Sequence, residues 1–277
     1  MVVGIVGLGL IGGSFAKAYK KENHTVYGLD KDDTTMKTAT LTGTVDGVLT
    51  DNLIKDCDCV IIALSFGATV EYLKENACKF QKGQLVMDTC GIKEKVCELG
   101  FGLAKDYGFA FVGAHPMAGT QFSGFANSKE DMFFGATMAF VPPDLNDNAL
   151  IERATNAVMP LKFANFTLWT PRHHDKIIAF TSQLAHIVSN AYMKSPSVKE
   201  RNGLSAGSYK DLTRVAYLNT GMWAELFMNN KNNILFELDT IIASLGKYRD
   251  AIAADDESEL ENLLLEGKIL KQEEDNF

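Results

Sequence analysis

The sequence predicts an α/β fold: an N-terminal doubly wound parallel sheet, followed by an all-helical C-terminal domain. Over about the first 170 residues, short apolar runs that are hydrophobic on both faces alternate with helical patterns. This alternation is typical of βαβ units that bury a parallel sheet. From His174 onward only helical patterns remain. We therefore predict two domains, 1–170 and 171–277.

The individual elements follow from hydrophobic periodicity and turn residues. Strands are predicted at 2–6, 25–29, 59–64, 84–88, 109–113, 137–141 and 165–169. Helices of the first domain are predicted at 14–20, 34–41, 68–80, 94–107 and 148–159. In the second domain the clearest apolar stripe has the 4-3-4-3-4 spacing of a packed helix, at Ile234, Leu238, Ile241, Leu245, Tyr248 and Ile252.

A glycine motif connects the first strand to the first helix. Gly7, Gly9 and Gly12 form G-x-G-x-x-G, with Leu8, Leu10 and Ile11 between them. In a strand–turn–helix context, these glycines allow a tight turn, backbone approach to a pyrophosphate and close helix–strand packing. The helix N-terminus then favours the anion. The motif predicts a Rossmann-type dinucleotide-binding domain.

Asp30 indicates which dinucleotide is bound. It ends the second predicted strand, eighteen residues after Gly12, where a carboxylate accepts hydrogen bonds from ribose hydroxyls and repels a 2′-phosphate. This favours NAD, although the neighbouring Lys31 weakens the preference. Ligands of such sheets bind beyond the carboxyl ends of the strands. The residues at the carboxyl ends of two further strands are therefore added to the cofactor site: Leu64, Ser65 and Thr89.

Composition narrows the class of protein. The formal charge of −8 argues against a nucleic-acid surface, which needs a basic stripe. No apolar run reaches the roughly 20 residues that span a bilayer, and the N-terminus lacks the features of a signal peptide. The five cysteines have no zinc-type spacing, so we expect reduced thiols, no metal site and a cytoplasmic protein.

His115 is the candidate catalytic residue. It comes just after a predicted strand, at the sheet edge where the cofactor is expected, and an imidazole can take a proton from an alcohol near neutral pH. His186, in a helix, is read from the residues alone as a hydrogen-bonded core histidine. His173 and His174 are adjacent at a helix start, where capping or solvent exposure is expected.

The helical domain holds a possible carboxylate-binding arginine. Asp211 and Arg214 are three residues apart and could share a helix face. An arginine held in this way suits bidentate recognition of a substrate carboxylate. The alternative is an ordinary surface ion pair, which contributes little stability.

The chain resembles the prephenate dehydrogenases over nearly its whole length. The resemblance depends on the ordered set of Gly7–Ser14, Gly113–Thr120 with Ser123 and Gly124 behind it, and Asp211–Arg214 followed by Met222 and Trp223. It implies NAD-dependent oxidation and decarboxylation of prephenate to 4-hydroxyphenylpyruvate, on the way to tyrosine. Because a helical domain that follows a dinucleotide-binding domain often pairs two chains, we also expect a homodimer through the helical domain.

The resemblance assigns roles to residues. His115 resembles the family's catalytic histidine, which hydrogen-bonds the ring hydroxyl during hydride transfer. Arg214 corresponds to the arginine that binds a substrate carboxylate, with Asp211 supporting it. The remaining substrate-site residues implied in this way are His186, Thr120, Gln121 and Trp223.

Two departures from the family pattern bear on the site. Many members carry a serine that touches the catalytic histidine, where this chain has Gly91. Some relatives have a glutamate where this chain has Gln121, and a neutral amide attracts the amino group of arogenate less, which favours prephenate. Three alternatives stay open: an arogenate dehydrogenase, a β-hydroxyacid dehydrogenase, and a non-catalytic NAD-binding protein.

Overall fold

A computed structural model of the chain describes residues 1–120, 122–201 and 203–275. It confirms the predicted α/β fold class. The strands are β1 Val2–Val6, β2 Thr25–Leu29, β3 Gly47–Val48, β4 Cys59–Ile62, β5 Leu85–Asp88, β6 Ala110–Pro116, β7 Thr137–Val141 and β8 Asn165–Leu168. The helices up to residue 192 are α1 Leu10–Lys21, α2 Asp33–Leu41, α3 Asp51–Ile54, α4 Phe66–Asn76, α5 Glu94–Tyr107, α6 Asn148–Val158, α7 Pro171–Ile178 and α8 Ala185–Tyr192. The remaining helices are α9 Gly207–Thr213, α10 Thr220–Asn229, α11 Lys231–Ala253 and α12 Glu257–Glu274.

The eight strands form one sheet in the order β3-β2-β1-β4-β5-β6-β7-β8. The strands from β3 to β6 in that order pair in parallel, so their carboxyl ends lie at one edge. The order reverses at β1, where the chain winds first to one side and then to the other. Such a switch point is where doubly wound sheets bind ligands.

The sheet is not parallel throughout. β7 pairs with β6 in the antiparallel direction, and β8 then pairs with β7 in parallel. The antiparallel partner extends β6 beyond the end of β5, with His115 opposite Ala139. His115 therefore lies within the last residues of a strand, not just after the strand as the sequence suggested.

Helices cover both faces of the sheet. On one face α1 and α6 pack on the strands, and Phe15 of α1 meets Phe133 with ring centroids 4.7 Å apart. On the other face α4 and α5 contribute Leu73 and Val96, both fully buried. Burial of this kind contributes roughly 1.5–3 kcal/mol per large apolar side chain. Both helical layers thus hold the strand ends in place.

By compactness the chain divides into two units, Met1–Asn230 and Lys231–Phe277. The first unit contains the sheet and also α7 to α10, because α7 packs against α5 and α10 against α4. The predicted boundary at 170/171 follows the change from sheet to helices and stays a prediction.

The second unit is a pair of helices, α11 and α12. Within it, the Tyr248 hydroxyl donates to the Leu263 carbonyl at 3.0 Å. Ile234 and Ala251 are buried, whereas Leu245 and Ile252 of the predicted stripe are exposed. In the described part of the chain, no helix is both long and apolar enough to cross a membrane.

Candidate active site

The glycine loop has the geometry of a dinucleotide site. Gly7 has φ +88°, and a Cβ there would lie 2.4 Å from the Ala63 carbonyl oxygen. A Cβ on Gly12 would lie 1.8 Å from the Gly7 oxygen. Gly9, the N-cap of α1, faces open space with nothing within 4 Å of a built Cβ. The loop is therefore tight where it packs and open at the helix N-terminus, as a pyrophosphate requires.

Asp30 lies at the end of β2, beside this loop. Its Oδ2 accepts a hydrogen bond from the Leu8 amide at 2.7 Å, and its Oδ1 accepts one from the Asp32 amide at 3.0 Å. The sequence predicted a role toward ribose, which no contact in the structure tests. The hydrogen bond to Leu8 adds a structural role, since it ties the glycine loop to the neighbouring strand end.

The other predicted cofactor residues lie at the same sheet edge. Leu64 and Ser65 follow β4, and Thr89 follows β5 with its hydroxyl donating to the Ile62 carbonyl at 3.5 Å. Beside them, Glu225 of α10 accepts a hydrogen bond from the Gly67 amide at 2.8 Å. A carboxylate from the helical region thus occupies the N-terminus of α4, next to the cofactor edge.

His115 presents one ring nitrogen inward and the other toward Gly91. Nδ1 lies 3.0 Å from Nε2 of His174. A Cβ built on Gly91 would lie 3.9 Å from Nε2 of His115 and 3.7 Å from the Leu226 side chain. Among the hydrogen bonds of the described residues, none involves Nε2 of His115. This nitrogen is available to a substrate.

His174 is buried, contrary to the sequence expectation of capping or exposure. Its side chain is 3% exposed, and Nδ1 lies 2.8 Å from Oδ1 of Asp175. Asp175 in turn accepts the Lys93 amide on Oδ1 at 2.6 Å and the Glu94 amide on Oδ2 at 2.8 Å. The carboxylate therefore sits at the N-terminus of α5, which favours negative charge. The result is a hydrogen-bonded chain from His115 through His174 to Asp175.

A buried ion pair supports the strand that carries His115. Lys93 and Asp88 are both fully buried, with Nζ 2.5 Å from Oδ2. Lys93 also donates to the Ala114 carbonyl at 2.7 Å, and Asp88 accepts the Ala114 amide at 3.3 Å. The backbone carbonyl and amide of Ala114, the residue before His115, are thereby both held by hydrogen bonds.

This environment keeps both histidines neutral. Burial lowers the pKa of His115 well below its usual range, and the nearby His174 and Lys93 lower it further. Burial also lowers the pKa of His174, with the hydrogen bond to Asp175 acting in the opposite direction. A neutral His115 can accept a proton at neutral pH, as a general base must.

The predicted substrate residues fall into separate groups. His186 of α8 donates from Nδ1 to the Ser182 carbonyl at 2.8 Å and packs against Trp223, with ring centroids 4.0 Å apart and the ring planes tilted by 32°. Arg214 is exposed at the start of a short 3₁₀ turn, which the Asn190 amide joins to α8 through the Ala216 carbonyl. Within the described residues Arg214 makes no ion pair with Asp211, so the pairing suggested by their spacing is absent.

Two predicted substrate residues lie in the loop after β6. The hydroxyl of Thr120, which is exposed, donates to the Phe122 carbonyl and accepts from the Phe122 amide, each at 3.3 Å. These bonds shape a turn. Gln121 lies outside the described residues.

A π-helical turn over Ala179–Leu184 separates α7 from α8. An α-helix turns about 100° per residue, so His174 and His186, twelve residues apart, would lie about 120° apart around its axis. A π turn accommodates one inserted residue, which reduces that angle to about 20°. The π turn therefore brings both histidines to one side of the helix. Sequence periodicity gave no sign of it.

The fold and site together define a class: a dinucleotide-binding oxidoreductase with a histidine at the sheet edge. The family model described as "Prephenate dehydrogenase, nucleotide-binding domain" matches residues 15–164. The model described as "Prephenate dehydrogenase, dimerization domain" matches residues 170–266. The chain belongs to the prephenate dehydrogenase family, and it is an enzyme of that family. The resemblance found in the sequence is confirmed.

Named relatives span the chain. It is 30% identical to a prephenate dehydrogenase of Bacillus subtilis (strain 168), over 99% of this chain and 75% of that protein. It is 28% identical to a cyclohexadienyl dehydrogenase of Zymomonas mobilis, over 92% of this chain and 89% of that protein. Among solved structures, the A. aeolicus prephenate dehydrogenase in complex with hydroxyphenyl propionate and NAD+ has a TM-score of 0.81 and 27% identity, covering 99% and 98% of the two chains.

Proposed function

We propose that the chain catalyses the NAD-dependent oxidative decarboxylation of prephenate to 4-hydroxyphenylpyruvate, a step of tyrosine biosynthesis. The observation that carries this proposal is the placement of His115. It lies at the carboxyl edge of the sheet, its Nε2 faces the space beside Gly91, and its surroundings keep it neutral. Family membership narrows the substrate to a cyclohexadienyl acid.

NAD is the proposed cofactor. The open face at Gly9 leaves room for the pyrophosphate, and the carboxylate of Asp30 beside the loop suits an unphosphorylated ribose. The related A. aeolicus structure was determined with NAD+. The nicotinamide ring supplies the chemistry of hydride acceptance. Leu8, Leu10, Ile11, Leu64, Ser65 and Thr89 complete the proposed binding edge.

His115 acts on the ring hydroxyl of the substrate. As the hydride leaves the carbon that bears this hydroxyl, Nε2 accepts the hydroxyl proton and prevents positive charge from building up on oxygen. The electrons of the breaking bond to CO2 enter the ring, which becomes aromatic. Because aromatisation drives the step, the protein mainly positions the substrate and polarises one hydroxyl.

The helical region is the proposed substrate side of the site. Arg214 makes no ion pair within the described residues, so its guanidinium is available for a substrate carboxylate. His186 and Trp223 pack against each other on the same group of helices. Asp211, Thr120 and Gln121 are proposed as further substrate contacts.

Arogenate is the second candidate substrate, since one relative is named a cyclohexadienyl dehydrogenase. The two substrates are separated by steady-state NADH formation with prephenate and with arogenate, at matched concentrations. We expect the larger kcat/KM with prephenate. A preference for arogenate would overturn the assignment based on Gln121, and turnover of neither would contradict the proposed function.

The chain is also proposed to form a homodimer in the cytoplasm. Both helices of the second unit carry large exposed apolar side chains: Leu235, Phe236, Ile242, Leu245 and Ile252 on α11, and Leu264, Leu265, Ile269 and Leu270 on α12. Large exposed apolar patches mark protein interaction sites, and we assign these side chains to the dimer interface. A family model named for dimerization matches residues 170–266, which include α11 and the first part of α12.

A further inference from the structure

We propose that His174 and Asp175 are positioning residues that hold the proton of neutral His115 on Nδ1, leaving Nε2 as the proton acceptor. The inference deepens the proposed function, in which His115 acts on the substrate hydroxyl. It starts from the hydrogen-bonded chain of three side chains, with distances of 3.0 Å and 2.8 Å.

The protons on the two histidine rings can be assigned by starting from Asp175, the last residue of the hydrogen-bonded chain. The two carboxylate oxygens accept the backbone amides of the N-cap and of the first residue of α5, so each oxygen acts as an acceptor. Nδ1 of His174 faces Oδ1 and must therefore carry a proton. Two acceptors facing each other at 2.8 Å would repel, and the burial of both side chains would make that repulsion costly.

The position of the proton on His115 is assigned in the same way, from its contact with His174. His174 is 3% exposed, and its charged form is disfavoured by burial and by the ammonium of Lys93. A neutral His174 that is protonated on Nδ1 has a lone pair on Nε2. Nδ1 of His115, 3.0 Å away, must donate to that lone pair. His115 is then left with its lone pair on Nε2, the nitrogen beside Gly91.

The same hydrogen bonds also stabilise the imidazolium of His115 that forms after proton transfer. When Nε2 accepts the substrate proton, the imidazolium of His115 still donates from Nδ1 to His174. His174 in turn stays hydrogen-bonded to the carboxylate, which offsets part of the new charge. His174 and Asp175 both lie in α7, and backbone amides at the N-terminus of α5 hold the Asp175 carboxylate, so the chain is in place without substrate. No proton leaves Asp175 or His174 in this scheme.

Long-range ¹H–¹⁵N spectra of the histidine rings test the proposal in the ligand-free full-length protein. We expect wild-type His115 to be protonated on Nδ1 near neutral pH. His174→Phe keeps a buried ring but removes the acceptor, so His115 should populate the Nε2–H tautomer and kcat should fall by about 10²-fold, with little change in the KM of either substrate. His174→Gln restores an acceptor near the position of Nε2 and should recover part of both effects.

His173→Phe is the matched control, since His173 is exposed and stacks on Trp169. It should change neither the tautomer nor kcat. Wild-type His115 protonated on Nε2 would overturn the proposal, as would a His174→Phe variant with an unchanged tautomer and unchanged kcat. The wild-type spectrum needs no substrate and no variant. It therefore decides the proposal even if His174→Phe fails to fold, or if neither prephenate nor arogenate is turned over.

Discussion

At the scale of single residues, the three glycines of the loop, Gly7, Gly9 and Gly12, have different roles. A Cβ on Gly12 would overlap the Gly7 carbonyl, and a Cβ on Gly7 would overlap Ala63, just after the neighbouring strand β4. Gly9 has no such neighbour and faces open space at the start of α1. Gly7 and Gly12 are therefore needed for folding of the loop, whereas Gly9 is needed for what binds there.

Alanine substitutions separate these two tasks. Gly12→Ala should lower the melting temperature and abolish NAD binding, because a methyl group 1.8 Å from a carbonyl oxygen forces the loop apart. Gly9→Ala should keep the melting temperature but weaken NADH binding by about tenfold, or about 1.4 kcal/mol. Thermal denaturation and fluorescence titration measure the two quantities.

Gly102→Ala is the control, since Gly102 is exposed in α5 with no atom near a built Cβ. It should leave NADH affinity unchanged. A Gly9→Ala variant that binds NADH as tightly as wild type would show that the open face of the loop is not the cofactor site.

The site geometry that could be predicted from the sequence is that of residues whose contacts are close by in the chain. The glycine loop and the end of β2 are short-range patterns, and their geometry could be anticipated. His174, Asp175 and Lys93 were missed, because their contacts join residues 59 and 82 positions apart. A histidine followed by an aspartate at a helix start gives no sign that it faces a distant strand.

At the scale of elements, long periodic segments were predicted well. α5 at 94–107 and β7 at 137–141 have the predicted limits. β3 and α3 were missed, because elements of two and four residues have no period to detect. The length of β6 depends on its antiparallel partner, so only the pairing reveals that His115 lies within the strand.

The helices show a further limit of prediction from sequence periodicity. The π turn before α8 contains one inserted residue, which changes which side chains share a face. A periodic reading across this region assumes about 100° per residue and therefore misplaces His186 relative to His174. Residues 171–192 had to be seen in three dimensions before the two histidines could be grouped.

At the scale of the whole molecule, the exposed apolar side chains of α11 and α12 lead to a prediction of oligomeric state. Sedimentation velocity should show a dimer. The double substitution Leu245→Glu and Ile252→Glu should shift it toward monomer, since both side chains are exposed and seven residues apart on α11. Two buried carboxylates in an apolar interface are strongly unfavourable.

Ser244→Glu serves as the control for the charge change. Ser244 is exposed and lies about 100° around the helix from Leu245, away from the directions of the exposed apolar side chains. It should leave the dimer intact. A wild-type monomer, or a double variant that sediments as a dimer, would contradict an interface through this face of α11.

The central claim joins the two halves of the site: the glycine loop holds the cofactor, and His115 acts on the substrate. Substitution of His115 by Asn tests this division most directly, with kcat for prephenate oxidation and the Kd for NADH measured on the same preparation. We predict that kcat falls by at least about 10²-fold, the usual contribution of a positioned base, while the Kd for NADH stays within about twofold. An unchanged kcat would remove His115 from the reaction and contradict the claim.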